Sequence, residues 1–219
     1  MMSDCLSINS MLNLDMTSII LSGGKSSRFG SHKGLIKIGG IPIIERILKI
    51  LNQFSKEIII VTNEPLLYSY LEVRIVVDII PFKGPLGGIY TGLFYTNFFP
   101  AFIVASDMPF ISKEVISYLI SQWEENLDIL IPADDKGYHP LFALYGKRCQ
   151  DIFKQKLLKD NLSVHKAIKY LKKKVIPISV LNQIDPTGKS FFNLNTPEDL
   201  KIAELFEEEK YGIESKRIY

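Results

Sequence analysis

Short apolar runs alternate along this chain with stretches whose apolar residues recur every three or four positions. That is the pattern of strands and helices in a parallel α/β sheet. Five runs read as buried strands: Thr17–Leu21, Glu57–Val61, Val73–Val77, Ala101–Ala105 and Ile129–Pro132. Helical spacing follows Pro42 from Ile43 to Leu51 and recurs in Gly87–Tyr95, Lys113–Glu125, Lys147–Lys159, Ser163–Lys173 and Thr196–Glu208. Ser112, Ser163 and Thr196 are suited to N-caps, and Thr196-Pro197-Glu198-Asp199 puts a proline and acids in a first turn. His139–Tyr145 alternates and ends at Gly146, which suggests an antiparallel strand at a sheet edge, and Val175–Val180 reads as a further strand.

No repeat or linker divides the chain, so residues 17–208 read as one domain, between a disordered leader (1–16) and a polar, frayed tail (209–219). With 219 residues and 47% hydrophobic content, a sizeable core can form. The net charge of +2 lacks the basic excess of a nucleic-acid or membrane-surface protein. Two cysteines without metal spacing, and no run of membrane-spanning length, point to a cytoplasmic protein without disulfides or zinc.

Ligands of an open parallel sheet bind beyond the carboxyl ends of its strands, and the chemistry-bearing residues gather there. The first strand runs into Ser22-Gly23-Gly24-Lys25-Ser26-Ser27-Arg28-Phe29-Gly30-Ser31-His32-Lys33. Paired glycines admit close backbone approach, and Lys25, Arg28 and Lys33 can neutralise a polyphosphate. It is not a Walker loop, since Ile19 stands where that motif needs glycine, and the dinucleotide glycine spacing is absent. Asp107, at the end of the fourth strand, can ligate Mg²⁺. Asn63 and Asp78 end two other strands with acceptors suited to a base or ribose, although each alone is more often a turn residue. Gly84-Pro85-Leu86-Gly87-Gly88 forms a second glycine-rich turn ahead of a helix. The histidines His32, His139 and His165 have no metal-like spacing, and no serine elbow is present.

Together these pieces resemble the molybdenum cofactor guanylyltransferases. The first loop resembles their Leu-Ala-Gly-Gly-x-Ser-x-Arg-Met-Gly signature with its following lysine. Gly84–Gly88, Ser106-Asp107-Met108-Pro109-Phe110, His139-Pro140-Leu141 and Asn193–Leu200 resemble their later motifs, in order. Ser22, Phe29, His32 and Gly87 depart from the pattern, His32 taking the place of an aspartate.

The resemblance implies a Rossmann-like, nucleotide-diphospho-sugar-transferase-like three-layer fold, its sheet mostly parallel with an antiparallel edge. It implies Mg²⁺-dependent transfer of GMP from GTP to molybdopterin-bound molybdenum cofactor. Leu21, Ser22, Gly23, Gly24, Gly84, Pro85 and Leu86 would then line the nucleotide, Asn63 and Asp78 would hold its guanosine, and Asn193 and Asn195 would lie near the second substrate. Asp107, Lys33 and Arg28 would be the catalytic groups, with Asp107 on the metal. Implied partners are proteins that handle molybdopterin and the acceptor molybdoenzymes, with the chain a monomer or weak oligomer. Gly23-Gly24 and the Gly84-Pro85-Leu86 turn favour GTP over CTP. A relative using CTP or another phosphate acceptor, and a non-catalytic nucleotide-binding regulator, are the alternatives.

Overall fold

The computed structural model describes residues 14–23 and 32–216, the side chains of 210–216 apart. Ten strands are present among the described residues: β1 (Thr17–Leu21), β2 (Lys37–Ile38), β3 (Ile41–Pro42), β4 (Glu57–Val61), β5 (Arg74–Val76), β6 (Ala101–Ala105), β7 (Ile129–Asp134), β8 (Gly137–Tyr138), β9 (Phe142–Tyr145) and β10 (Lys173–Pro177). The α-helices are α1 (Ile43–Leu51), α2 (Gly84–Tyr95), α3 (Lys113–Ser121), α4 (Arg148–Leu158), α5 (Val164–Ile168), α6 (Ile178–Ile184) and α7 (Pro197–Lys216). None is long and apolar enough to cross a membrane.

The main sheet runs β10-β7-β9-β6-β1-β4-β5, with β8 paired to β7. Its strands are apolar on both faces because both faces are covered. Ile20, Ile58, Ile60, Phe102 and Val104 pack into one core with residues of α1 and α3. Their chain neighbours Ile19, Ile59, Val61 and Ile103 turn the other way, into a second core with α2, α4 and α5. A period of two on an all-apolar strand therefore builds a helix–sheet–helix sandwich.

Ser112 and Ser163 do cap their helices, accepting the Val115 and Lys166 amides at 3.3 Å. At α7, Asp199 Oδ2 accepts the Asn195 and Thr196 amides at 2.8 Å, and Thr196 Oγ1 accepts the Asp199 amide at 3.2 Å, a reciprocal box. The small hairpin β2–β3 turns at Gly39 and Gly40, with φ of 55° and 80°. That two-residue turn needs positive φ at both positions, which glycine supplies at little cost.

Several expectations are corrected. β9 runs antiparallel, yet it lies inside the sheet between β6 and β7 instead of at an edge. All four of its residues are buried, as an interior position requires, whereas alternation in the sequence carries no information about neighbours. The helix expected from Ser163 to Lys173 ends at Ile168, and Lys173 instead opens β10, an outer strand where charged side chains reach water. β10 stops at Pro177, and α6 takes up the residues expected to continue it. α2 begins at Gly84, so the second glycine-rich segment is the helix's own first turn. α7 continues past Glu208 to Lys216. Met16 is fully buried, and its carbonyl accepts the Lys56 amide at 3.0 Å, so the sheet's first strand is entered through ordered chain. Cys149 is a free, buried thiol held above its usual pKa by burial.

Helix α2 lies close against β1. A Cβ added at Gly92 would sit 2.5 Å from Ile19 Cγ2 and 2.9 Å from its Cδ1. Ile19 is fully buried and stiff at χ1, so it has little room to yield. Overpacking costs about 1–3 kcal/mol, against about 1 kcal/mol gained in helix propensity. Gly92→Ala is expected to lower the unfolding free energy by a net of up to about 2 kcal/mol, read as a fall in the denaturant midpoint, and a raised midpoint would show the helix free to move away.

Candidate functional site

Strands β6, β1, β4 and β5 are adjacent and parallel, so their carboxyl ends stand in a row. Three interstrand steps of about 4.8 Å make that row roughly 14 Å long, the scale of a nucleotide. A cavity of about 730 Å³ lies along it. Leu21, Ser22, Gly23, Lys33, Asn63, Asp78, Gly84, Pro85, Asp107, Asn193 and Asn195 line it, gathering residues 174 positions apart in sequence. Gly24 and Arg28 lie outside the described residues.

Over β6 the site is polar and charged. Lys33 Nζ donates to Asp107 Oδ2 at 2.9 Å and to Asn195 Oδ1 at 2.6 Å. The Lys33–Asp107 pair is about one-fifth exposed, so water screens it only in part. Lys33 opens a short 3₁₀ turn, Lys33–Leu35, and Gly34 is buried in it. An added Cβ at Gly34 would lie 3.2 Å from Ser106 Cβ and 3.4 Å from Ser22 Oγ. This small residue therefore lets the lysine turn settle onto the ends of β1 and β6. The Asn193–Asn195 segment is tied in by the Leu194 amide, which donates to the Asp107 carbonyl at 2.9 Å. The cap at Asp199 then fixes the backbone around Asn195.

Two departures from the family pattern acquire partners here. The Ser22 hydroxyl shares a 2.6 Å hydrogen bond with the Tyr68 hydroxyl. Tyr68 is fully buried, and burial raises its phenol pKa against the lowering effect of Ser22. An alanine at 22 would leave that phenol without this partner, a cost of about 1–3 kcal/mol. His32 Nε2 lies 2.7 Å from Glu64 Oε2, which links the lysine turn to the loop after β4.

Over β4 and β5 the site changes character. Asn63 Nδ2 donates to Asp78 Oδ2 at 3.0 Å. Burial raises the Asp78 carboxyl above its ordinary range, outweighing Asn63 and Thr91, which pull it down. Its Oδ1 is buried and lies near Thr91 Oγ1, which accepts the Ile79 amide and keeps its own proton to offer the carboxylate; Oδ1 has no other partner among the described residues. Gly88, Gly84 and Pro85 bring the first turn of α2 to the cavity wall. Leu86 does not reach the cavity: it is fully buried in the second core, because two residues of helix, about 200° of rotation from Gly84 and Gly88, turn it to the opposite face. Gly87 is also buried away from the cavity, and a Cβ there would lie 2.9 Å from Lys83 Cβ. This backbone excludes alanine at that position unless Lys83 moves.

Nothing in the sequence singles out Tyr68, since an aromatic in an apolar run reads as core. Thr62, Ser106 and Phe82 line the cavity too. His139 stands apart from the cavity, 3.1 Å from Asp134 Oδ2, with its ring against Phe191.

No group of three or more His, Cys, Asp or Glu side chains that could hold a metal gathers among the described residues. Lys33 occupies one oxygen of Asp107 and leaves Oδ1 as the remaining acceptor on the cavity side. One free carboxylate oxygen suits Mg²⁺ that arrives on a polyphosphate and keeps water and phosphate as its other ligands.

The comparisons agree with this geometry. The family described as "MobA-like NTP transferase domain" matches residues 18–174. A "Probable molybdenum cofactor guanylyltransferase" of Natranaerobius thermophilus is 36% identical over 197 residues, 88% of this chain and 96% of that one. A "Molybdenum cofactor guanylyltransferase" of Desulfosudis oleivorans is 33% identical over 86% of this chain and 94% of its own. The crystal structure of molybdopterin-guanine dinucleotide biosynthesis protein A from Archaeoglobus fulgidus superposes with a TM-score of 0.79 at 29% identity, covering 89% of this chain and all of that one. A 4-diphosphocytidyl-2C-methyl-D-erythritol synthase from Anaerococcus prevotii, at 16% identity and a TM-score of 0.65, shares the fold. This chain is a nucleotidyltransferase and belongs to the MobA-like NTP transferase family.

Proposed function

We propose that the protein transfers GMP from GTP to the terminal phosphate of molybdopterin-bound molybdenum cofactor, releasing pyrophosphate. The carrying observation is the division of one cavity into a charged end at Lys33, Asp107 and Asn195 and a base-sized end at Asn63 and Asp78. In this reading the guanosine lies over β4 and β5, the triphosphate crosses the end of β1, and the pterin phosphate enters over β6 beside Asn193 and Asn195.

A phosphate nucleophile is anionic at neutral pH and needs no strong general base. The protein's work is to align two anions and offset the charge between them. Lys33 supplies a cation already oriented by two acceptors, and the amides of Gly23 and of the α2 first turn approach the phosphates and nucleoside. Arg28 would add a second cation. Asp107 Oδ1 would hold Mg²⁺, which when bound spreads the charge of the phosphate oxygens. We place the protein in the cytoplasm, with molybdopterin-handling proteins and acceptor molybdoenzymes as its contacts.

The direct test is incubation with GTP, Mg²⁺ and molybdenum cofactor, followed by detection of the guanine dinucleotide and pyrophosphate. CTP should be a much poorer donor, and equal turnover with CTP would discard the guanylyl assignment. Asp107→Ala and Lys33→Ala should each lower kcat/KM by about 10²-fold or more. Because the two groups touch, the double variant should lose less than the product of the single losses. Independent, multiplicative losses would deny the pair a joint role.

Asp78 gives a prediction of opposite sign for stability and binding. Its folded-state pKa is raised by burial, so its ionised form costs the native state above that pKa. The favourable contribution is full below the unfolded carboxylate pKa and is lost as pH rises through the folded value. Asp78→Asn should therefore raise the melting temperature at pH 7, with the gain shrinking toward pH 4, while weakening GTP binding. A variant destabilised at pH 7 would contradict the sign.

A further inference from the structure

We propose that Phe82 is the stacking platform for the nucleotide base and so sets a preference for a purine. The inference rests on the nucleotidyl-transfer reading and adds to it a residue that the motifs do not contain.

Phe82 is 96% exposed, the most exposed of the large hydrophobic side chains described. It has no ring partner among the described residues, although it lines the cavity mouth beside Asp78 and Gly84. Water gives such a side chain no reason to be there, and a single exposed aromatic would normally pass as incidental. Its backbone argues otherwise. Phe82 sits at φ 62°, a conformation that favours glycine and tolerates asparagine but strains a bulky residue. The native state carries that strain at a position whose side chain contributes nothing to either core. Strain of this kind collects where a site is held ready for a ligand.

The surroundings hold the strained segment in place. Lys83 Nζ donates to Asp160 Oδ1 at 2.8 Å, and Gly84, at φ 60°, starts α2 immediately after. Phe82 follows β5 and stands just ahead of α2, so the chain brings it to the cavity from the β5 end of the row of strands, the end assigned to the base. Asn63 and Asp78 can address the edge of a base, but neither offers a face. An aromatic ring does, and it gains more from a purine's larger surface than from a pyrimidine's.

The test is calorimetric titration of the full chain with GTP, CTP and, as a base-free control, inorganic tripolyphosphate, each with Mg²⁺. Phe82→Ala should weaken GTP binding by about 5- to 150-fold, weaken CTP less, and leave tripolyphosphate unchanged. In turnover the loss should fall mainly in KM for GTP. Phe82→Trp should restore binding. Phe82→Asn should relieve the backbone and raise the melting temperature by about 2–4 °C while binding GTP as poorly as the alanine variant. A purely structural phenylalanine would not become more stable and less able to bind in the same substitution. Unchanged GTP affinity in Phe82→Ala, or equal losses for GTP and tripolyphosphate, would overturn the stacking role. A wild-type chain that binds tripolyphosphate but neither nucleotide would overturn the underlying reading instead.

Discussion

One ammonium group organises this molecule's site. Lys33 meets Asp107 and Asn195 at once, and those three residues come from the turn after β1, the end of β6 and the approach to α7. Nothing local forces them together. The row of parallel strand ends brings Asp107 beside the β1 loop, Gly34 lets the lysine turn settle onto Ser106, and the cap at Asp199 holds Asn195 in place. A lysine so placed loses little freedom when an anion arrives, because its rotamer is already set. Its positive charge is divided between one carboxylate and one amide, which leaves it able to serve a phosphate as well.

Across the cavity the arrangement differs in kind. Asn63 and Asp78 form a neutral–anionic pair in a half-buried setting, with Thr91 beside the second carboxylate oxygen. An enzyme handling two anions needs this asymmetry. Cations at both ends would let a polyphosphate bind in either direction, whereas an acid at one end repels phosphate and accepts the donors of a nucleoside. The polarity of the site is therefore also its sense of direction.

Much of this was legible in the residues. Strands buried on both faces announce themselves as unbroken apolar runs, which is why β1, β4, β6 and β7 stand where expected. Cation-rich glycine loops and acids at strand ends are local features, and eleven of the thirteen expected nucleotide- and pterin-side residues line the cavity; Leu86 is the described exception and Gly24 lies outside the described residues. What escaped was non-local. The position of β9 depends on which neighbours accept it, and no pattern within Phe142–Tyr145 encodes that choice. Leu86 shares a motif with cavity-lining neighbours, but helical rotation sends it into the core. His32 and Ser22 looked like departures without a reason because their partners, Glu64 and Tyr68, lie more than thirty positions away.

The late arrival of Asn195 also matters for how the protein is made. While it is being synthesised, the chain carries its glycine loop, its strand-end acids and most of both cores long before residues 193–199 exist. A nascent chain can thus hold a partly formed sheet with a lysine turn that lacks one of its two anchors. The site closes only when α7 has been laid down over the hairpin at Gly39, whose amide donates to Glu204 Oε2 at 3.1 Å. For this fold the site is complete only once residues 193–199 are in place, and a chain cut short before α7 would keep the motif without the machinery.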